Sequence, residues 1–180
     1  MRNDKYIFMI KTDVDSKEYN AYYQVYLNKL SDNVGLLEGF INGRKEVLDF
    51  FMSLPNEKHA FAYAKGKWTV KEVFQHIIDT ERIFMYRCFR IARRDATALA
   101  GFDQDDFMIT CSANSKSITL LLEEFTSVRD SFIVLLKTLS SDDLKFIGEA
   151  SGYPISARAI AFINLGHYLW HIDVIKERYL

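Results

Sequence analysis

The chain has 180 residues, 26% of them charged and 49% apolar, with a formal net charge of −1. That length can bury a real core as one domain, and the composition is globular. The balanced charge lacks the basic excess through which a protein grips nucleic-acid phosphates, so no nucleic-acid partner is expected.

Cys88 and Cys111 have no metal-binding spacing, and the N-terminal run is interrupted by Lys11 and Asp13 before it resembles a signal peptide. No stretch reaches membrane-spanning length. The expected setting is reduced and cytoplasmic, with no membrane partner.

Proline and glycine are scarce, with two and eight copies, and the apolar residues recur at helical rather than alternating spacing. The expected fold class is therefore all-α, in a single domain over residues 1–180. Residues 1–30, rich in tyrosine, read as an extended or short helical lead-in packed on the rest. A first helix is expected from about Asp32 to Leu54, with Leu37, Phe40, Ile41, Val47, Leu48 and Phe51 on one side and Pro55 after its end. A second starts at Thr69, where Thr69 and Glu72 have capping-box spacing, and runs to about Arg94. A third follows Asn114 or Ser115, with Ile118, Leu121, Leu122, Phe125, Val128, Phe132 and Leu135 at three-and-four spacing, and ends near Thr138. The fourth follows Ser156 and continues to the C-terminus. Four such faces bury most simply against one another as a four-helix bundle. The connections 55–67 and 95–113 are long for bundle loops, a length that often carries function.

Polar residues on apolar helix faces single themselves out, because a buried polar group without a partner is costly. Placed on a wheel at about 100° per residue, Glu81 falls among Val73, Ile77, Phe84 and Cys88, while Glu72, Gln75, Asp79, Arg82 and Arg90 take the other side. Arg129 falls between Leu122, Phe125 and Leu136. Two opposite charges in one small core predict an ion pair between Glu81 and Arg129, registering two helices.

His76 stands at the margin of the same arc, followed along one edge by Thr80, Ile83 and Arg87. On the last helix His167 and His171 point nearly the same way, with Asn164 and Arg178. Two imidazoles at i and i+4 can share one metal, and a third from a facing helix completes a set that leaves a coordination position open. The plainer alternative is a pair of packed histidines. Tyr168 stands where H-E-x-x-H would have its general base, which disfavours a metalloprotease. Asp79 follows His76 by three residues but on the polar side. GFDQDDF, with Phe102, Asp103 and Phe107, is either a capping loop anchored by its aromatics or a cover for a pocket mouth.

The blocks KWTVKEVFQHIIDTERIFMYRCFRIARRD, LAGFDQDDF and GHYLWHIDVIKERYL resemble the DinB-like family of damage-inducible helical proteins, over nearly the whole chain from about Tyr22. The resembling branch comprises YfiT-like metal-dependent hydrolases and the bacillithiol and mycothiol transferases. The resemblance implies an up-down-down-up four-helix bundle, a homodimer, and a divalent metal, nickel or zinc, held by His76, His167 and His171. Where many relatives read G-H-E-x-H-H, this chain has Tyr168 and Trp170 in place of the acidic residue and the penultimate histidine. Residues around a ligand set tune its affinity and chemistry.

The function so implied is a metal-dependent transferase moving a low-molecular-weight thiol onto an electrophilic small-molecule substrate in a stress response. A hydrolase of a small amide or ester is the first alternative, and a non-enzymatic binding bundle the second. Thr80, Ile83, Arg87, Asn164 and Arg178 are the candidate pocket residues, with the arginines and Asn164 suited to an anionic substrate. Cys111 has no neighbouring base to activate it.

Overall fold

The starts of three of the four long helices are written in their capping residues. Glu72 donates its backbone N–H to the Thr69 hydroxyl at 3.2 Å and returns a carboxylate to the Thr69 N–H at 2.7 Å, satisfying two donors left over by helix geometry. Ser117 and Ser156 cap in the same way, accepting from Leu120 and Ala159. In the computed structural model, which describes residues 9–180, the elements are α1 (Gln24–Leu27), α2 (Leu36–Ser53), α3 (Val70–Ala92), α4 (Gln104–Thr110), α5 (Ile118–Thr138), α6 (Ser141–Lys145), β1 (Ile147–Ala150), β2 (Tyr153–Ser156) and α7 (Ala157–Arg178).

The four expected helices correspond to α2, α3, α5 and α7, and they form the bundle. α2 packs against α5 and α7, and α3 packs against the same two. Consecutive α2 and α3 therefore stand diagonally across the bundle, as do α5 and α7, and the diagonal is what the long 54–69 connection spans. The diagonal closes in the core, where the rings of Phe51 and Phe74 stack with centroids 3.8 Å apart. α7 is buried on nearly every side, since α1, α2, α3 and β2 all cover it.

Several boundaries and elements differ from expectation for local reasons. α2 begins at Leu36 rather than Asp32, because the backbone of Val34 and Gly35 is held extended: Lys11 donates to the Val34 carbonyl, and Ile10 bridges to Gly35. α5 is capped by Ser117, while Ala113–Ser115 forms a separate single 3-10 turn. A short antiparallel hairpin precedes α7, pairing Ala150 with Tyr153 and Ile147 with Ser156 across a Ser151-Gly152 turn. Both turn residues have positive φ, 54° and 79°, which suits a tight hairpin turn. Gln75, assigned to the exposed side of its helix, is buried under Lys116, Asp79 and Glu124, because α3 is covered on that side too.

Within the lead-in, residues 1–8 lie outside the described residues. From Met9 onward three 3-10 turns lead into α1, which lies along α7. Glu18 fastens this segment: it is buried, accepts from the Ser156 hydroxyl at 2.6 Å, and pairs with Arg158 on the first turn of α7. Gly166 lets the two chains approach, since a Cβ there would sit 2.0 Å from the Tyr26 carbonyl oxygen. Arg129 and Glu81 meet in the centre of the bundle, 0% and 1% exposed, with Arg129 Nε and Nη2 donating to the two carboxylate oxygens at 2.5 and 2.7 Å. No helix among the described residues is long and apolar enough to cross a membrane.

Candidate metal centre

His76 lies in the second turn of α3, and His167 and His171 lie one turn apart near the middle of α7. The packing of α3 on α7 brings the three rings together, with centroids 5.0, 4.7 and 4.5 Å apart. All three residues are buried, at 3%, 4% and 7% exposure. Nε2 of His167 is 3.1 Å from Nε2 of His76 and 3.1 Å from Nε2 of His171.

That geometry is informative about protons. A neutral imidazole nitrogen has either one hydrogen or one lone pair in the ring plane, so His167 Nε2 can form a proper hydrogen bond to only one of its two neighbours. The other contact sets like against like. A cation accepting three lone pairs removes the conflict, and bonds of about 2.0–2.1 Å at tetrahedral or octahedral angles place donor nitrogens roughly 3.0–3.4 Å apart. The donor set therefore fits a divalent transition-metal ion, which imidazole suits. Each ring would then carry its proton on Nδ1, and Thr80 Oγ1 stands 3.5 Å from Nδ1 of His76 to receive one.

Electrostatics favour the same protonation state. Burial lowers the pKa of His76 from 6.5 to about 4. For His167 and His171 burial again comes first and the neighbouring imidazoles second, and both pKa values fall well below the ordinary range. At neutral pH the cluster is three neutral bases. Aromatic rings wall it off: Trp68 lies 5.0 Å from His76, Trp170 4.8 Å from His171, and Tyr26 5.2 Å from His167.

His76 and His167 face a cleft of about 610 Å³. Its walls come from the lead-in (Tyr22, Tyr23, Tyr26), from α3 (Thr80, Phe84, Arg87), from the loop entering α4 (Gly101 to Gln104) and from Ser151 of the hairpin turn. His171 completes the cluster without lining the cleft.

Of the five candidate pocket residues, Thr80 and Arg87 line this cleft. Ile83 does not: it lies in a separate depression with Phe107 and Cys111, since α4 covers that edge of α3. Asn164 is buried but lies outside the cleft lining, and its Nδ2 has no acceptor among the described residues. Arg178 is exposed at the end of α7, where it donates to the Tyr63 hydroxyl at 3.3 Å. Asp79 turns toward Gln75 and Arg82 rather than His76.

Tyr168 turns away from the cluster. Its hydroxyl donates to Glu46 at 3.1 Å, its ring lies 5.2 Å from the Arg129 guanidinium, and Gly43 makes room for it. GFDQDDF is a capping loop, for Asp103 caps α4 through the Asp105 N–H, and its Phe102 also lines the cleft. The tyrosines and Ser151 were invisible as site residues, because only the docking of the lead-in and the hairpin brings them there, and Trp68 because it lies in the connection that precedes α3. Cys88 is buried, and burial pushes its thiol up to about 12; both cysteines are free.

A family model described as the DinB superfamily matches residues 40–175. Among solved structures, YfiT from Bacillus subtilis, described as a probable metal-dependent hydrolase with an unusual four-helix bundle topology, matches with a TM-score of 0.71. It shares 16% sequence identity over 79% of this chain and 82% of that one. No curated protein matches the chain.

Proposed function

The chain belongs to the DinB superfamily, and from that premise we propose that it is a metal-dependent enzyme whose cation is held by His76, His167 and His171. The observation that carries this reading is the convergence of the buried His76 and His171 imidazoles on Nε2 of the buried His167, a contact set that the hydrogens of neutral rings cannot satisfy. A divalent cation held there would supply Lewis acidity, bringing the pKa of a bound thiol or water toward neutrality.

The remaining work falls to the chain's own residues. With Nε2 of His76 given to the cation, Thr80 Oγ1, 3.5 Å from Nδ1, would accept the ring's remaining proton. Trp68, Trp170 and Tyr26 exclude water from the cluster, which strengthens every charge interaction beside it. Phe84, Tyr23 and Tyr26 offer an apolar body along the cleft to a small-molecule substrate.

Between the two reactions the leading proposal is transfer of a low-molecular-weight thiol to an electrophile. Hydrolysis by an attacking water is ordinarily assisted by a general base. Among the described residues the one carboxylate lining the cleft is Asp103, in the loop that carries Phe102, and Tyr168 occupies the position where H-E-x-x-H has its base. A thiol, far more acidic than water, ionises without such help. Hydrolysis of a small amide or ester is the second reading, and the similarity to YfiT favours it.

The two separate in one assay: consumption of an electrophile by protein loaded with nickel or zinc, with and without a small thiol. Thiol-dependent, chelator-sensitive conjugation is expected. Ester or amide cleavage that is indifferent to thiol would overturn transfer in favour of hydrolysis.

A further inference from the structure

Arg87 is 3% exposed, yet its hydrogen-bond partners among the described residues are neutral. Its Nη2 donates to the Ala100 carbonyl at 2.7 Å and to the Ser151 hydroxyl at 2.9 Å, and the Tyr23 hydroxyl stands beside it. The other buried arginine, Arg129, has the Glu81 carboxylate, and the partly buried Arg158 has Glu18. A guanidinium withdrawn from water without an anion opposite it is costly, and with two of the five Arg87 hydrogens on Ala100 and Ser151 and one on the Tyr23 hydroxyl, two remain among the described residues for a ligand. Phe102 lies 5.5 Å from the guanidinium and fixes its plane.

We propose that Arg87 anchors a carboxylate of the substrate, so that the cleft takes an elongated monoanion with its charged end at Arg87 and its reacting end at the histidines. This inference rests on the reading of the histidine cluster as the reactive end. Arg87 follows His76 by eleven residues of α3, so their Cα atoms stand about 16 Å apart along the helix. That separation selects an extended molecule, and Phe84, between the two on α3, with Tyr23 packed beside it, selects an apolar middle.

The charge count selects a single negative charge. Arg87 is the one cation among the described lining residues, and Asp103 in the same wall repels a dianion. A carboxylate meets that condition better than a phosphate monoester.

Binding of 4-phenylbutyrate, its neutral amide and phenyl phosphate is to be measured by calorimetry on the purified protein, before and after chelator treatment. The carboxylate is expected to bind in both states, and the amide and the phosphate at least about tenfold more weakly. Arg87→Gln is expected to remove that preference and Arg87→Lys to keep part of it, with metal content unchanged in both. Equal binding of carboxylate and amide, tighter binding of phosphate, or no binding of the carboxylate to folded wild-type protein would overturn the assignment. The wild-type comparison decides the matter even where Arg87→Gln fails to fold. Metal uptake without carboxylate preference sinks this inference alone, whereas carboxylate preference without metal uptake sinks the metal centre alone.

Discussion

Glu81 and Arg129 form a side-on ion pair sealed in the middle of the bundle, at 2.5 and 2.7 Å, joining α3 to α5. Arg129 also donates to the Phe40 carbonyl of α2 at 3.3 Å, and its guanidinium lies near the rings of Phe40, Phe125 and Tyr168. One cation thus touches all four bundle helices. Removing a single partner strands the other charge in the core, so Glu81→Leu or Arg129→Met should each cost about 3–5 kcal/mol of stability. The double substitution should cost clearly less than the sum. Urea denaturation of the four proteins checks this, and simple additivity would contradict it.

The approach of the lead-in to α7 depends on the missing side chain of Gly166. Gly166→Ala places a methyl against the Tyr26 backbone, and the clash should destabilise the protein by about 1–3 kcal/mol. Because Tyr26 walls the cluster, limited proteolysis should cut the variant first within residues 9–30 while the bundle stays intact. A variant as resistant there as the wild type would show that the lead-in is not held by this contact.

Acid should weaken the metal-free protein in a window set by the histidines. His76 titrates at about 4 when folded and near 6.5 when unfolded, and the two others also lie well below 6.5. The unfolded chain therefore binds more protons as pH falls below about 6.5, so stability present above that pH is lost on the way down to 4. The carboxylates lowered by hydrogen bonds, such as Asp143 and Glu124, act only at more acid pH. Chelator-treated protein should show a lower urea midpoint at pH 5 than at pH 7.5. A midpoint unchanged across that interval would contradict the neutral, buried cluster.

Both tryptophans of the chain touch the cluster, Trp68 through His76 and Trp170 through His171. Their emission is consequently a direct reporter of the site. Nickel added to chelator-treated protein should quench it saturably, and His171→Ala should abolish the response. Emission indifferent to nickel in the wild type would count against a metal between those rings.

What the sequence made legible was what local chemistry governs. Thr69 with Glu72, the cap at Ser156, the three-and-four spacing of α5 and the misplaced Glu81 and Arg129 all announce themselves within one or two helical turns. The three histidines did so only on the assumption that α3 faces α7. The hairpin escaped notice because its strands are four residues each, although Ser151-Gly152 is a turn signal. Gln75 and Ile83 were misplaced because a helical wheel has one apolar side, whereas α3 is covered by α5, α7 and α4 together. Arg178 shares a helical face with His171 but has run past the end of the cleft. The aromatic walls depend on segments far apart in the chain, and no periodicity encodes that.

The central claim, a metal held by three histidines, is tested most directly by the metal content of the purified protein beside that of His171→Ala, each after exposure to nickel or zinc and gel filtration. About one equivalent per chain in the wild type, absent from a variant whose helical circular dichroism is unchanged, is the predicted result. A wild-type chain that stays metal-free, or a variant that keeps its metal, would contradict it.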